Sequence, residues 1–238
     1  MNFIIEPIAK FMTGLLGAIN HFTGNYGLTL VVFAAIIKLV LYRPTLQMYR
    51  SQKDMEKIKP KMEELKKQHA DDPKKLNEEI MKMYSEAGVN PLAGCLPLLV
   101  QMPIIFGILR AISSNPDTYR SAYFLWIHPG TLQGLFPNYF ASSLADADLA
   151  MVIFYGFMML LSQKFTPSQG DPQQKMIGLY MSVFFTYMMW SMKWPCALIL
   201  YWSSFQFFSV LQQVWILKTL ALPAPTKVEI IKPSPAKA

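Results

Sequence analysis

The chain has 238 residues, of which 53% are hydrophobic and 16% charged, with a formal net charge of +7. Globular domains carry about a quarter charged residues, and here the charges gather in short basic segments between long apolar ones. That partition excludes an ordinary soluble domain and points to a membrane protein whose basic residues meet lipid headgroups rather than bind a specific nucleic acid.

Residues 3–19 (FIIEPIAKFMTGLLGAI) put Glu6, Lys10 and Thr13 on one helical face. This predicts an amphipathic helix lying in the membrane interface. Residues 20–27 (NHFTGNYG) read as a turn. A first transmembrane helix is expected over 28–48, with its apolar part ending near Tyr42, one mid-span charge, Lys38, and Pro44 near its inner end.

Arg50 to Glu86 is densely charged, yet Met55, Ile58, Met62 and Leu65 recur at helical spacing, as do Leu76, Ile80 and Met83. Asp71 or Asp72 can cap a helix starting at Pro73. Residues 50–86 therefore read as an αα-hairpin outside the bilayer. Its apolar faces pack the two helices together on one reading and recruit substrate or ribosome on another.

Further transmembrane helices are expected over 92–112, which carries Pro97 and Pro103, and over 149–165, 175–192 and 197–217. Between 112 and 149, Tyr123, Trp126 and Tyr139 suit an interfacial aromatic belt. The Pro-, Ala- and Lys-rich segment 218–238 is expected to be a disordered basic tail. The fold class is thus all-α and integral to a membrane, a single domain over 1–217 with a five-helix core. Several apolar runs reach only about 15–20 residues, which a locally thinned bilayer would accommodate.

Lys and Arg orient the chain. The hairpin side holds 11, the third-to-fourth loop and tail 6, and the opposite side 4. The positive-inside rule then places hairpin and tail in the cytoplasm and the N-terminus outside. Cys95 and Cys196 are too few for a disulfide framework or an ordinary metal site and fall at opposite faces, so both are expected free. The N-terminus lacks the pattern of a cleavable signal peptide.

A charge at the bilayer centre costs about 2.5–3.5 kcal/mol, so Lys38 is expected to face a wet interior. The competing reading is a lysine that snorkels to the interface, four residues before Tyr42. Gln101, Ser162, Gln163, Ser203, Ser204, Gln206 and Gln212 also fall in or near spans. Each alone reads as an interhelical hydrogen bond, and together with Lys38 they could line one hydrophilic groove. No catalytic constellation is visible. His21, His69 and His128 are scattered, and no span contains Asp, Glu or His. Neither an enzyme nor a cofactor nor a metal is expected.

The stretch GVNPLAGCLPLLVQMPIIFGILRAI (88–112) closely resembles the signature of the YidC/Oxa/Alb membrane insertases. GNYGLTLVV (24–32), FLWIHP (124–129), WPCALILYW (194–202) and the hairpin motifs DDPKKL and EEIMKMY are similar too, in the same order. The resemblance implies an insertase and chaperone for nascent membrane proteins in a bacterial plasma membrane, with a hydrophilic groove open to the cytoplasm and sideways to lipid. A positive residue in the first core span would draw in a polar substrate segment, and the substrate's apolar segment would slide into lipid along the first, third and fifth spans. Lys38 stands where the family usually has arginine; it keeps the charge but not the bidentate fork. By the same resemblance Gln163, Trp202 and Gln101 join Lys38 in the substrate groove. A Sec translocon and the ribosome stay open as partners. No counterpart is read of the large outer domain that some bacterial members carry. The rivals are a small-molecule transporter or channel, which would call for an inverted repeat not seen here, and an assembly factor that only chaperones helices.

Overall fold

The computed structural model describes residues 2–88, 96–130, 132–165 and 172–219. Ten helices lie in these segments: α1 (Asn2–Thr23), α2 (Tyr26–Val40), α3 (Tyr42–Gln68), α4 (Pro73–Glu86), α5 (Leu96–Ser114), α6 (Pro116–Arg120), α7 (Leu132–Leu135), α8 (Leu149–Phe165), α9 (Pro172–Ser191) and α10 (Cys196–Thr219). The only β pairing among the described residues is one isolated bridge, Phe124 to Ile127.

α1 is amphipathic because its apolar residues recur every three to four positions. Ala9, Met12, Leu16 and Ile19 are buried, while Glu6, Lys10 and Thr13 are exposed. The buried stripe lies along α5, whose Gly107 permits the approach: a β-carbon there would come within 2.9 Å of Ile8 Cγ2 and Met12 Cγ. Glu6 pairs with Arg110 of α5 at 3.4 Å.

Gly24, at φ +64°, ends α1 in a left-handed conformation that a side chain would disfavour. Asn25 then caps α2 by accepting from Leu28 N at 3.0 Å, and its Nδ2 donates to Tyr123 O at 3.0 Å. The two helices are bent by 115° at this turn.

The helix boundary expected at residue 48 is displaced. α2 ends at Val40, and α3 runs from Tyr42 through Gln68. The interruption is a single residue, since Leu41 N bonds Ile37 O at 2.9 Å and Thr45 N bonds Leu41 O at 3.0 Å. Pro44 does not break α3 because it sits in the first turn, where its missing N–H has no intrahelical partner to lose. Arg43 accordingly belongs to the next helix rather than to the Lys38 helix.

α3 and α4 form the αα-hairpin. Asp72 caps α4 by accepting from Lys75 N at 3.1 Å, with Pro73 at the first helical position. Met55, Ile58 and Met83 are buried, and Met62, Leu65, Leu76 and Ile80 are half-buried.

α10 is the hub, packed most extensively on α2 and α8, with α5 beside it and α9 held mainly by α8. Ring pairs and hydrogen bonds fix the directions. Phe33 meets Tyr201 and Lys38 meets Phe205, so α2 and α10 run the same way. Tyr155 meets Trp202 and Ser162 meets Gln206, so α8 runs with them. Gln163 reaches Gly178 while Gly156 abuts Thr186, so α9 runs opposite to α8.

Large apolar side chains cover the outside. Ile153, Phe154 and Phe157 on α8, Tyr180, Val183, Phe184 and Tyr187 on α9, and Phe207, Leu211 and Trp215 on α10 are all exposed. A continuous apolar exterior of this kind requires a non-aqueous neighbour. No single helix among the described residues is long and apolar enough by itself to cross a membrane, whereas the bent α1–α2 pair passes the same test together. The reasons are length in α2 and α8, 15 and 17 residues, and a polar stripe in α10.

Candidate functional site

Two kinds of interior meet along α10. Its first turns, Cys196 to Tyr201, are buried with Leu30, Phe33 and Ile37 of α2, Ile108 and Ile112 of α5, and Met151, Val152 and Tyr155 of α8 in one apolar core. Tyr119 joins this core from the connecting segment, and burial, reinforced by Tyr26, pushes its phenol pKa up. From Ser203 onward polar residues join the buried apolar ones Val210 and Ile216: Ser203, Ser204, Ser209 and Gln213 on α10, Ser162 on α8, Gln101 on α5 and Thr45 on α3. The apolar core thus fills the end of the bundle away from the hairpin, and the polar interior the end toward it.

Lys38 sits at this boundary. It is half-buried, and its Nζ lies 3.7 Å from the centroid of the Phe205 ring. Among the described residues no carboxylate lies within ion-pair distance of it. A cation over an aromatic face is stabilised by the ring quadrupole but keeps its charge.

Gln101 is buried, and its Nε2 donates to Tyr201 Oη at 3.1 Å while its Oε1 has no partner. Tyr201 stacks obliquely on Phe205 at 6.0 Å. Gln101 and Lys38 are therefore joined through Tyr201 and Phe205. Farther along, Gln206 Nε2 donates to Ser162 Oγ, and the Tyr49 side chain is buried. Ser203 Oγ, Gln212 Oε1 and Gln213 Oε1 are buried without a partner. An orphaned buried polar atom costs about 1–3 kcal/mol, so each of these four oxygens along α10 and α5 is suited to a water or to a polar guest.

The other two expected groove residues have partners of their own. Gln163 is turned toward α9, donating from Nε2 to Gly178 O at 3.3 Å and to Ser182 Oγ at 3.4 Å. Trp202 stacks on Trp194 at 5.1 Å and leans on Tyr155 at 6.4 Å. Helical spacing could place both on spans but could not tell which neighbour each would meet. Phe205, Tyr201, Tyr49 and Gln213 lie among these polar residues and are not singled out by the sequence, where each looks like ordinary helix packing.

A second buried polar centre was missed altogether. Asp148 is fully buried. Its Oδ1 accepts from Met151 N at 2.7 Å and Trp126 Nε1 at 3.2 Å, and its Oδ2 from Ala141 N at 3.0 Å. Nearby, Cys196 N bonds Asp146 O at 2.7 Å and Ala197 N bonds Leu144 O at 2.8 Å. The 141–148 segment therefore holds the starts of α8 and α10 together, beyond the apolar core. Cys196 is buried and free, and Cys95 lies outside the described residues.

The family model described as the 60Kd inner membrane protein matches residues 18–222. The membrane protein insertase YidC of Geobacter sp. (strain M21) is 36% identical over 214 residues, covering 90% of this chain and 37% of that protein. The membrane protein insertase YidC of Nitratidesulfovibrio vulgaris (strain DSM 19637 / Miyazaki F) is 36% identical over 211 residues, 89% of this chain and 38% of the relative. The chain thus spans a little over a third of the length of these relatives. A crystal structure of an active YidC insertase with its first transmembrane domain resolved is similar with a TM-score of 0.67, over 87% of this chain and 45% of that one. At 24% identity it bears on the fold.

Proposed function

The chain belongs to the 60Kd inner membrane protein family, and from that premise we propose that it is a membrane protein insertase and chaperone of a bacterial inner membrane. α2, α5, α8, α9 and α10 are its five transmembrane helices, with the N-terminus outside and the α3–α4 hairpin and basic tail in the cytoplasm. The opposed directions of α8 and α9 and the apolar exterior support this arrangement. At 1.5 Å per residue, α2 and α8 are only about 23 and 26 Å long, against a hydrocarbon core of about 30 Å, so the bilayer thins around them.

In this reading the polar half of the bundle is a groove wetted from the cytoplasm and closed outside by the apolar core. The observation that carries it is the position of Lys38, an unneutralised ammonium at the junction of the two interiors. It attracts acidic groups in the segment of a nascent membrane protein that must cross. Gln101 and the α10 polar stripe solvate the segment's backbone, so that it moves partway without full desolvation. Trp202 borders the groove toward α8, and Gln163 flanks it at the α8–α9 seam. The substrate's apolar helix then leaves along the exposed faces of α2, α8 and α10, driven by its own transfer into lipid at about 25 cal/mol per Å². A Sec translocon and the ribosome are candidate partners on the same reading.

Cysteine accessibility tests it. With Cys95 and Cys196 replaced by serine, single cysteines at Gln206, Ser209 and Gln213 should react with a charged thiol reagent added from the cytoplasmic side. Cysteines at Phe33 and Val152 should not react from either side. Inertness of the first three positions from both sides would overturn the groove.

A further inference from the structure

At the end of the bundle away from the hairpin lies an open bowl of about 740 Å³, walled by Gln133, Asn138, Phe140, Ser142, Asp146 and Lys193 among others. Its two charged residues are of opposite sign, and each is held. Lys193 sits at φ +51° in the turn between α9 and α10, and its Nζ lies 3.4 Å from the centroid of the Trp190 ring. Tyr139 stacks on that same ring at 6.4 Å and 9°. No carboxylate among the described residues forms an ion pair with Lys193.

Asp146 accepts from Ser142 Oγ at 2.7 Å and Ser143 Oγ at 2.8 Å, both on Oδ2, so Oδ1 takes part in neither bond. Beside the bowl, α7 and the residues after it expose Leu132, Leu135, Phe136 and Tyr139 to solvent. One ammonium, one carboxylate and two amide side chains in a bowl bordered by exposed apolar side chains match the two charges and the chains of a zwitterionic lipid.

We propose that this bowl binds the headgroup of an aminophospholipid, phosphoethanolamine, with the phosphate on Lys193 and the primary ammonium on Asp146. A choline headgroup has no N–H to donate to a carboxylate, and a glycerol headgroup has no cation. Asp146 therefore selects among lipids that Lys193 alone would treat alike. The inference rests on the membrane reading above, which puts this end of the bundle at the outer leaflet.

The test is lipid retention by the purified full chain, read by native mass spectrometry. Phosphatidylethanolamine, phosphatidylcholine and phosphatidylglycerol of matched acyl chains would be compared. Phosphatidylethanolamine should be favoured over each of the others by about tenfold, the value of one charge-assisted hydrogen bond. Lys193→Asn, a residue that tolerates the left-handed backbone, should lower retention of the ethanolamine and choline lipids alike. Asp146→Asn should abolish the preference for ethanolamine over choline. Melting temperatures of both variants establish that they fold. Equal retention of the three lipids, or a preference that survives both substitutions in folded protein, overturns the site. Insertion activity is a separate readout: its failure with lipid selectivity intact removes the insertase reading and leaves the headgroup site.

Discussion

The Nζ of Lys38 lies 3.7 Å from the centroid of Phe205, one turn along α10 from Tyr201, whose hydroxyl accepts the Gln101 amide. A cation held this way is fixed in place by about 0.5–2 kcal/mol without being neutralised, and remains available to a carboxylate brought near it. In a substrate with an acidic translocated segment, Lys38→Ala should lower reconstituted insertion roughly five- to thirtyfold, corresponding to about 1–2 kcal/mol of lost attraction. Lys38→Glu should lower it further, and Lys38→Arg should restore it. For a substrate whose translocated segment is neutral, the three variants should lie close to the parent. Equal insertion of the acidic substrate by all of them would take Lys38 out of the mechanism.

The Gln101–Tyr201 bond makes a prediction about stability. Tyr201→Phe leaves the buried Gln101 Nε2 without its acceptor, beside an Oε1 already unpartnered. The expected cost is about 1–3 kcal/mol. Adding Gln101→Leu removes the orphaned amide altogether, so the double variant should be more stable than Tyr201→Phe alone. Denaturant unfolding in detergent micelles, arranged as a double-mutant cycle, reads the coupling. Additive losses would mean that the bond contributes nothing.

How legible these features were in the sequence differs by kind. α8 begins and ends with its apolar run, Leu149–Phe165, because nothing but hydrophobicity and length defines it. The cap at Asp72 and Pro73 was readable because its partners are three residues apart. The break at Leu41 was not, since neither Gly nor Pro occupies it and the apolar pattern runs straight through. Lys38 and Gln101 could be singled out as polar residues in apolar surroundings, but their connection passes through Phe205 and Tyr201, aromatic residues that look like packing until α5, α2 and α10 are brought together. Gln163 shows the converse: its place on a span was visible, while its preference for the α9 backbone was a tertiary outcome.

Gly27 gives a steric prediction. A β-carbon there would overlap Cβ and Cγ of Phe124, the first residue of the FLWIHP segment, which packs on the opening turn of α2. Gly27→Ala should gain about 1 kcal/mol from helix propensity and lose more from forcing Phe124 away, since overpacking costs typically about 1–3 kcal/mol. A net loss in melting temperature is expected. In the background of Phe124→Gly, which removes Cβ together with the ring, the same substitution should become neutral or stabilising. Persistence of the loss in that background would place the strain elsewhere.

Asp148 carries the last prediction. Its two oxygens accept three hydrogen bonds, from Trp126 Nε1, Ala141 N and Met151 N, in a fully buried position. The carboxylate is suited to this because both of its oxygens only accept. Asparagine offers one oxygen and one NH2, and whichever way it is turned the NH2 confronts at least one of these N–H groups. Charge-assisted bonds contribute about 1.5–3 kcal/mol each, so Asp148→Asn should cost about 2–4 kcal/mol, although it is nearly isosteric. Asp146→Asn, at an exposed carboxylate bonded to two serine hydroxyls, should cost under about 1 kcal/mol, because water replaces what is lost. Because Asp148 ties the connecting segment to the start of α8, its substitution should also quench or shift the Trp126 emission before global unfolding, while Asp146→Asn should not. Equal stabilities for the two variants would show that the buried carboxylate is dispensable to the closed end of the bundle.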